Sequence, residues 1–180
     1  LVGHGTVSTE ELADRVKRLS TEGMPLLVAF PLFDSVLQYY EVDMNRREYG
    51  AIVQHFNPLV GHPATDQLAA WVRGGHPNIG PIHQLSCERK LATPTREKVL
   101  DHLARDVELL ARIAGDIRRV TAIGPPLDSP SFAALQIQMN AAAAASLRWS
   151  VGYATAGAAG LEMSLFGERG IVVVRVLDES

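Results

Sequence analysis

Four charged side chains fall on one stripe of a single amphipathic segment. Asp101, Arg105, Glu108 and Arg112 follow one another at spacings of four, three and four residues, and His102 adjoins the first of them. At 100° per residue the four lie within about 60° of one another on a helix. Two readings of the stripe stay open. In one it is a ladder of (i, i+4) and (i, i+3) ion pairs on a solvated face, each worth only a few tenths of a kcal/mol. In the other, Asp101 and Arg105 face a cleft, where the planar fork of Arg105 suits bidentate binding of a carboxylate or a hydroxyl-rich ligand. A guanidinium stays protonated and cannot act as a base near neutral pH. His102 is the titratable neighbour, one position from Asp101 and about 100° around the helix.

The elements that must position this stripe can be read from breakers and periodicity. Thr93-Pro94 predicts an N-cap and a first helical residue, and Gly115 predicts the end of that helix. Val99, Leu103, Val107, Leu110 and Ala114 are its expected core stripe. Upstream, Ser8-Thr9-Glu10-Glu11 forms a capping box. Leu12, Val16 and Leu19 recur at helical spacing until Gly23 and Pro25. Leu26 to Phe30 reads as a buried strand, 33–40 as possible helix and 51–56 as strand. A short helix over 65–72 ends at Gly74-Gly75, and a strand is expected from Asn78 toward Cys87. Arg119 to Ile123 reads as another strand. Period-two alternation over 135–139 and 147–151 predicts an antiparallel pair, although Ala141 to Ala145 favours helix by propensity alone. Strands over 161–166 and 171–176, turning through Gly167-Glu168-Arg169-Gly170, close the chain as a hairpin.

Composition narrows the function classes. The 180 residues suit one domain with a real core, and 47% hydrophobic against 21% charged is an ordinary globular balance. A net charge of −3 exerts no general pull on nucleic acid or anionic membrane. No apolar run approaches the roughly 20 residues a bilayer requires. Cys87 is the only cysteine, so no internal disulfide forms and a reducing cytoplasm is the expected compartment. The chain begins without Met, which suggests a start within a longer product. His55, His62, His76 and His83 make no metal-binding spacing, so no metal is expected, and Cys87 reads as a small core hydrophobe. Neither Gly3-His4-Gly5 nor Gly157-Ala158-Ala159-Gly160 matches a dinucleotide or Walker motif.

The stretch from Leu100 to Gly115 resembles the substrate-facing helix of the Gfo/Idh/MocA oxidoreductases (glucose–fructose oxidoreductase, inositol dehydrogenase and relatives). Their pattern runs Asp-x-Gly-x-His-x-x-Asp and ends, after an apolar turn, in Gly. Asp101 fits the first acid and Glu108 the second, while Arg105 stands where the family places its catalytic His. The capped helix and strand over 6–31 are similar to the segment just after the family's nucleotide-binding half, which a Glu-Lys-Pro motif with the catalytic Lys precedes. The elements over 74–176 resemble its main sheet, and 33–62 reads as an insertion or divergent connection.

The resemblance implies an α+β domain over 1–180: a large, mostly antiparallel sheet with helices on one face, like the C-terminal domain of dihydrodipicolinate reductase. It implies a parent NAD(P)-dependent oxidoreductase acting on a sugar or polyol, with NAD or NADP bound mainly by an N-terminal domain outside this chain. Asp101 and His102 become the catalytic candidates and Asp101 with Arg105 the substrate-binding ones. A homodimer or homotetramer through the open sheet face is expected, with Gln136, Gln138, Arg148 and Ser150 on that face or in water. The chain alone is expected to be inactive. A non-catalytic binding or assembly module derived from the family is the alternative, favoured by Arg105 in place of His.

Overall fold

The computed structural model describes residues 9–29, 36–142, 146–155 and 158–177. They divide into two compact units, Leu1–Pro58 and Leu59–Ser180.

In the first unit, helix α1 (Thr9–Thr21) leads into strand β1 (Leu26–Ala29), helix α2 (Val36–Tyr49) and strand β2 (Val53–Phe56). Leu12, Val16 and Leu19 face inward as the periodicity predicts, and they pack with Leu26, Val28 and Val42. The capping residue Ser8 and the strand residue Phe30 lie outside the described residues. Gly23 and Gly50 take positive φ (69° and 68°) where each helix turns toward its strand, a conformation glycine adopts without strain. β1 and β2 are parallel, with Leu26 beside Val53 and Ala29 beside Phe56. Residues 33–62 are therefore more than a connection: they supply the helix and second strand of a βαβ unit and the cap of the next helix.

The second unit carries helix α3 (Pro63–Gly74), strand β3 (Ile82–Leu91), helix α4 (Arg96–Ala114) and strands β4 (Ile117–Ile123), β5 (Gln136–Ala141), β6 (Ser146–Tyr153), β7 (Gly160–Gly167) and β8 (Gly170–Leu177). The six strands form one sheet in the order β4-β5-β6-β3-β7-β8, in which only β3 and β6 pair in parallel. This is the expected α+β architecture with a mostly antiparallel sheet. Leu85, Cys87 and Leu91 of β3, Leu147 and Trp149 of β6, and Leu161 and Leu165 of β7 line its buried face against Val99, Leu110 and Ile113 of α4. Ala141 continues β5 beside Ile117 of β4, so pairing overrides helical propensity at that position; Ala143 to Ala145 lie outside the described residues.

Several boundaries differ from expectation, among them that of α2, which runs on to Tyr49 where helix was expected over 33–40. Helix α4 is capped by Thr95, whose hydroxyl accepts from Lys98 N at 3.4 Å. Thr93 and Pro94 precede that cap, because a Pro disfavours helix in the residue before it but leaves the cap free to form later. Strand β3 starts at Ile82, since His76 and Gly80 first close a bridged turn, with hydrogen bonds of 2.9 Å in both directions.

Candidate functional site

Helix α4 carries the predicted site residues and organises two opposite faces. The core face is Val99, Asp106, Leu109, Leu110, Ile113 and Ala114. By helical geometry Val99, Leu110 and Ile113 lie within about 40° of Asp106, so a carboxylate occupies the middle of the apolar stripe. Leu103 and Val107, expected in this core stripe, are half-buried flanks. The sequence reading missed Asp106 altogether.

Asp106 has no solvent exposure, and its carboxylate is fully engaged. Arg89 Nη2 donates to Oδ1 at 2.5 Å and Arg89 Nε to Oδ2 at 3.1 Å. Trp149 Nε1 donates to Oδ2 at 3.0 Å. Arg89 sits in the inward row of β3, between Cys87 and Leu91, and is 3% exposed. This arrangement ties α4 to two adjacent strands and fixes the helix in rotation and in register along its axis. Burial pushes the neighbouring Cys87 thiol up, and the Asp106 charge adds to the effect, which suits a core thiol and not a nucleophile.

The opposite face holds the predicted chemistry. Asp101 is exposed, and His102, Arg105 and Glu108 are half-buried. Asp101, Arg105, Glu108 and Arg112 share this face; His102 lies about 60° from Arg105, toward the core flank. Arg112 does not simply extend a ladder along α4, because its Nη2 donates to Asp66 Oδ1 of α3 at 2.7 Å. The imidazole of His102 carries both a donor and an acceptor nitrogen, whereas the guanidinium of Arg105 offers donors only.

The other described histidines lie outside this helix. His62 caps α3, its Nδ1 accepting from Ala64 N at 3.1 Å. His76 stands edge-on to Trp71 with ring centres 4.4 Å apart, and His55 edge-on to Tyr39 at 6.0 Å. His83 Nε2 lies 3.8 Å from Glu168 Oε1. Among the described residues no group of three His, Cys, Asp or Glu side chains could hold a metal ion.

Two cavities have no α4 residue in their lining. One, about 330 Å³ in the first unit, has Val16, Val28, Val42 and Val53 as an apolar lining, with Asp43 and Arg46 also on it. The other, about 370 Å³, is lined by Lys90, Leu161, Glu162, Arg175 and Leu177. Its charges pair with one another: Arg175 Nε lies 2.7 Å from Glu162 Oε2 and Lys90 Nζ 3.6 Å from it. Two cations share one carboxylate there, so the lining keeps one net positive charge, which Glu88 approaches through Lys90 Nζ at 3.7 Å.

A dinucleotide would need a glycine-rich turn between the first strand and helix of a βαβ unit. From Ala29 to Val36 the chain reads Ala-Phe-Pro-Leu-Phe-Asp-Ser-Val, without glycine. β1 and β2 pair in parallel on either side of α2, and the sequence joining β1 to α2 lacks the glycines of a dinucleotide fingerprint.

No family model matches the chain, and no curated protein matches it in sequence. Solved structures match it in fold. A myo-inositol dehydrogenase from Corynebacterium glutamicum superposes with a TM-score of 0.71 at 14% identity, over 97% of this chain and 56% of its own. An oxidoreductase from Agrobacterium radiobacter, in complex with NAD+, L-tartaric acid and magnesium, gives 0.67 at 12% identity over 93% and 54%. A biliverdin reductase from Synechocystis, in complex with biliverdin and NADP+, gives 0.66 at 12% over 95% and 58%. The chain shares the fold of Gfo/Idh/MocA-type dehydrogenases. It spans a little over half the length of these structures. The resemblance read from the sequence is thus borne out as a shared fold, and it takes in the βαβ unit as well as the large sheet.

Proposed function

We propose that this chain forms the substrate-side wall and assembly domain of an NAD(P)-dependent oxidoreductase acting on a sugar, a polyol or a related hydroxy compound. The observation that carries this reading is the fold shared with a myo-inositol dehydrogenase along 97% of the chain. On α4, Asp101 and Arg105 bind the substrate, the fork of Arg105 gripping a carboxylate or a pair of hydroxyls. Asp101 and His102 move the hydroxyl proton, the imidazole of His102 offering both a donor and an acceptor nitrogen. The nicotinamide nucleotide supplies hydride acceptance and is held mainly by sequence outside these 180 residues. The open sheet face joins copies into a dimer or tetramer, and the lone buried thiol of Cys87 fits a cytoplasmic setting.

The test compares the 180-residue chain with a longer protein containing it. Each is incubated with NAD+ or NADP+ and a panel of polyols, and reduced nicotinamide is followed by absorbance. Turnover by the longer protein and none by the chain alone is the expected result. Silence from both, with polyol binding retained, assigns the second reading.

That second reading, a binding or assembly module without the reaction, is favoured by Arg105, a guanidinium standing where the family places its catalytic His.

A further inference from the structure

The two edges of the six-stranded sheet are built differently. At one edge β4 exposes Arg118 and Arg119, and its ladder with β5 shifts register between Ile117 and Arg119. Charges and irregularities of this kind keep an edge from pairing with other chains. At the other edge β8 runs in unbroken register against β7, from Gly170 beside Gly167 to Leu177 beside Gly160. It has no proline and no bulge, and its one charge, Arg175, is held by Glu162 at 2.7 Å. Among the described residues no strand pairs with its outer side. Ile171, Val173 and Leu177 stand 56%, 47% and 64% exposed beside that edge.

The order of residues in β8 indicates what would cover it. About Val174 the strand reads almost alike in both directions: Val172 matches Val176, and Ile171 matches Leu177. Only Val173 and Arg175 differ. In an antiparallel ladder directly opposed residues share a face. Two copies paired with Val174 opposite Val174 therefore set Val172 against Val176 of the second copy and Ile171 against Leu177 of the second copy. Apolar side chains then meet on both faces, and each Val173 lies across from Arg175 of the other copy. We infer that β8 pairs edge to edge with β8 of a second copy about a two-fold axis, joining two sheets into one. The contact is isologous, the form that closes as a dimer. It uses the sheet's edge and is independent of the open-face packing proposed above.

The register supplies its own test. Val173→Lys places like charges opposite each other twice in the interface, whereas Val173→Glu places a carboxylate opposite each Arg175. Sedimentation of the 180-residue chain should show a concentration-dependent dimer, weakened about tenfold by V173K and kept or tightened by V173E. Val173 is exposed, so equal thermal unfolding of the two dilute variants would show that they fold alike. Hydrogen exchange of the wild-type chain provides a reading without substitution: protection of β8 amides should rise with protein concentration. A monomer at all concentrations overturns the proposal, as does exchange in β8 that ignores concentration. A dimer that both variants weaken equally, or that neither affects, overturns it in favour of another interface.

Discussion

Asp106 and Arg89 meet as a bidentate pair inside the helix–sheet core, with side chains 0% and 4% exposed and closest atoms 2.5 Å apart. Trp149 adds a third hydrogen bond from the strand beside. A buried pair adds little net stability over apolar residues of equal volume, since desolvation offsets its attraction, yet breaking one is costly because the remaining charge is stranded. Asp106→Leu should therefore lose about 3–5 kcal/mol in urea unfolding. The double variant Arg89→Met/Asp106→Leu should regain most of that loss. A double variant as unstable as the single one would show that the pair is not the dominant interaction there.

The rotation this pair imposes on α4 predicts unequal costs along the helix. Leu110 is fully buried, and Leu110→Ala should cost about 2–5 kcal/mol. Leu103 is half-buried on the flank, and Leu103→Ala should cost about 1–2 kcal/mol, since less area returns to water. Equal losses in calorimetric or denaturant unfolding would contradict the observed facing.

Acid sensitivity should centre on the β3-β7-β8 side of the sheet. The Arg175 hydrogen bond holds the Glu162 carboxyl below its ordinary value of 4.5, with Lys90 assisting against partial burial. In the unfolded chain Glu162 takes up its proton near the ordinary value. Its contribution to stability is therefore complete above about pH 4.5 and fades as pH falls through the lower folded value. Asp43 behaves in the same direction through Arg46. Glu162→Gln should lower the neutral level of a stability-versus-pH curve and thereby flatten its acid limb. An acid limb as steep as that of the wild type would assign the sensitivity elsewhere.

How far these features were legible follows from the kind of signal each left. The hairpin β7-β8 and the pair β5-β6 showed plainly, because period-two alternation and a Gly-x-x-Gly turn are local. The βαβ unit did not, because α2 has no clear apolar stripe: Leu37, Tyr40, Met44 and Tyr49 are all exposed. The Arg89–Asp106 pair left a trace that was overlooked. Leu85-x-Cys87-x-Arg89-x-Leu91 interrupts an inward strand row with one cation, and Val99, Leu103, Asp106, Leu110 and Ile113 interrupt an inward helix row with one anion. Each interruption alone looks like an error of facing; together they specify a partner. The charged stripe of Asp101, Arg105 and Glu108 was fully legible as a face, since helix geometry alone defines it. What that face binds depends on surfaces that lie outside the helix.

Arg105 is where the stripe and the proposed chemistry part company. If it only decorates a solvated face, replacing it changes neither binding nor much stability, because exposed pairs are worth at most about 1 kcal/mol. If it grips the substrate, Arg105→Ala removes a bidentate, charge-assisted contact, which is worth about 1.5–3 kcal/mol. In a catalytically active protein containing this chain, that loss should appear as a KM raised about tenfold to a hundredfold with kcat little changed. Arg105→Lys should recover only part of it, since an ammonium keeps the charge and loses the fork. Measuring KM for the wild type and both variants, alongside their unfolding midpoints, separates the roles. An unchanged KM in Arg105→Ala would confine Arg105 to surface pairing and leave Asp101 and His102 as the remaining substrate-side candidates.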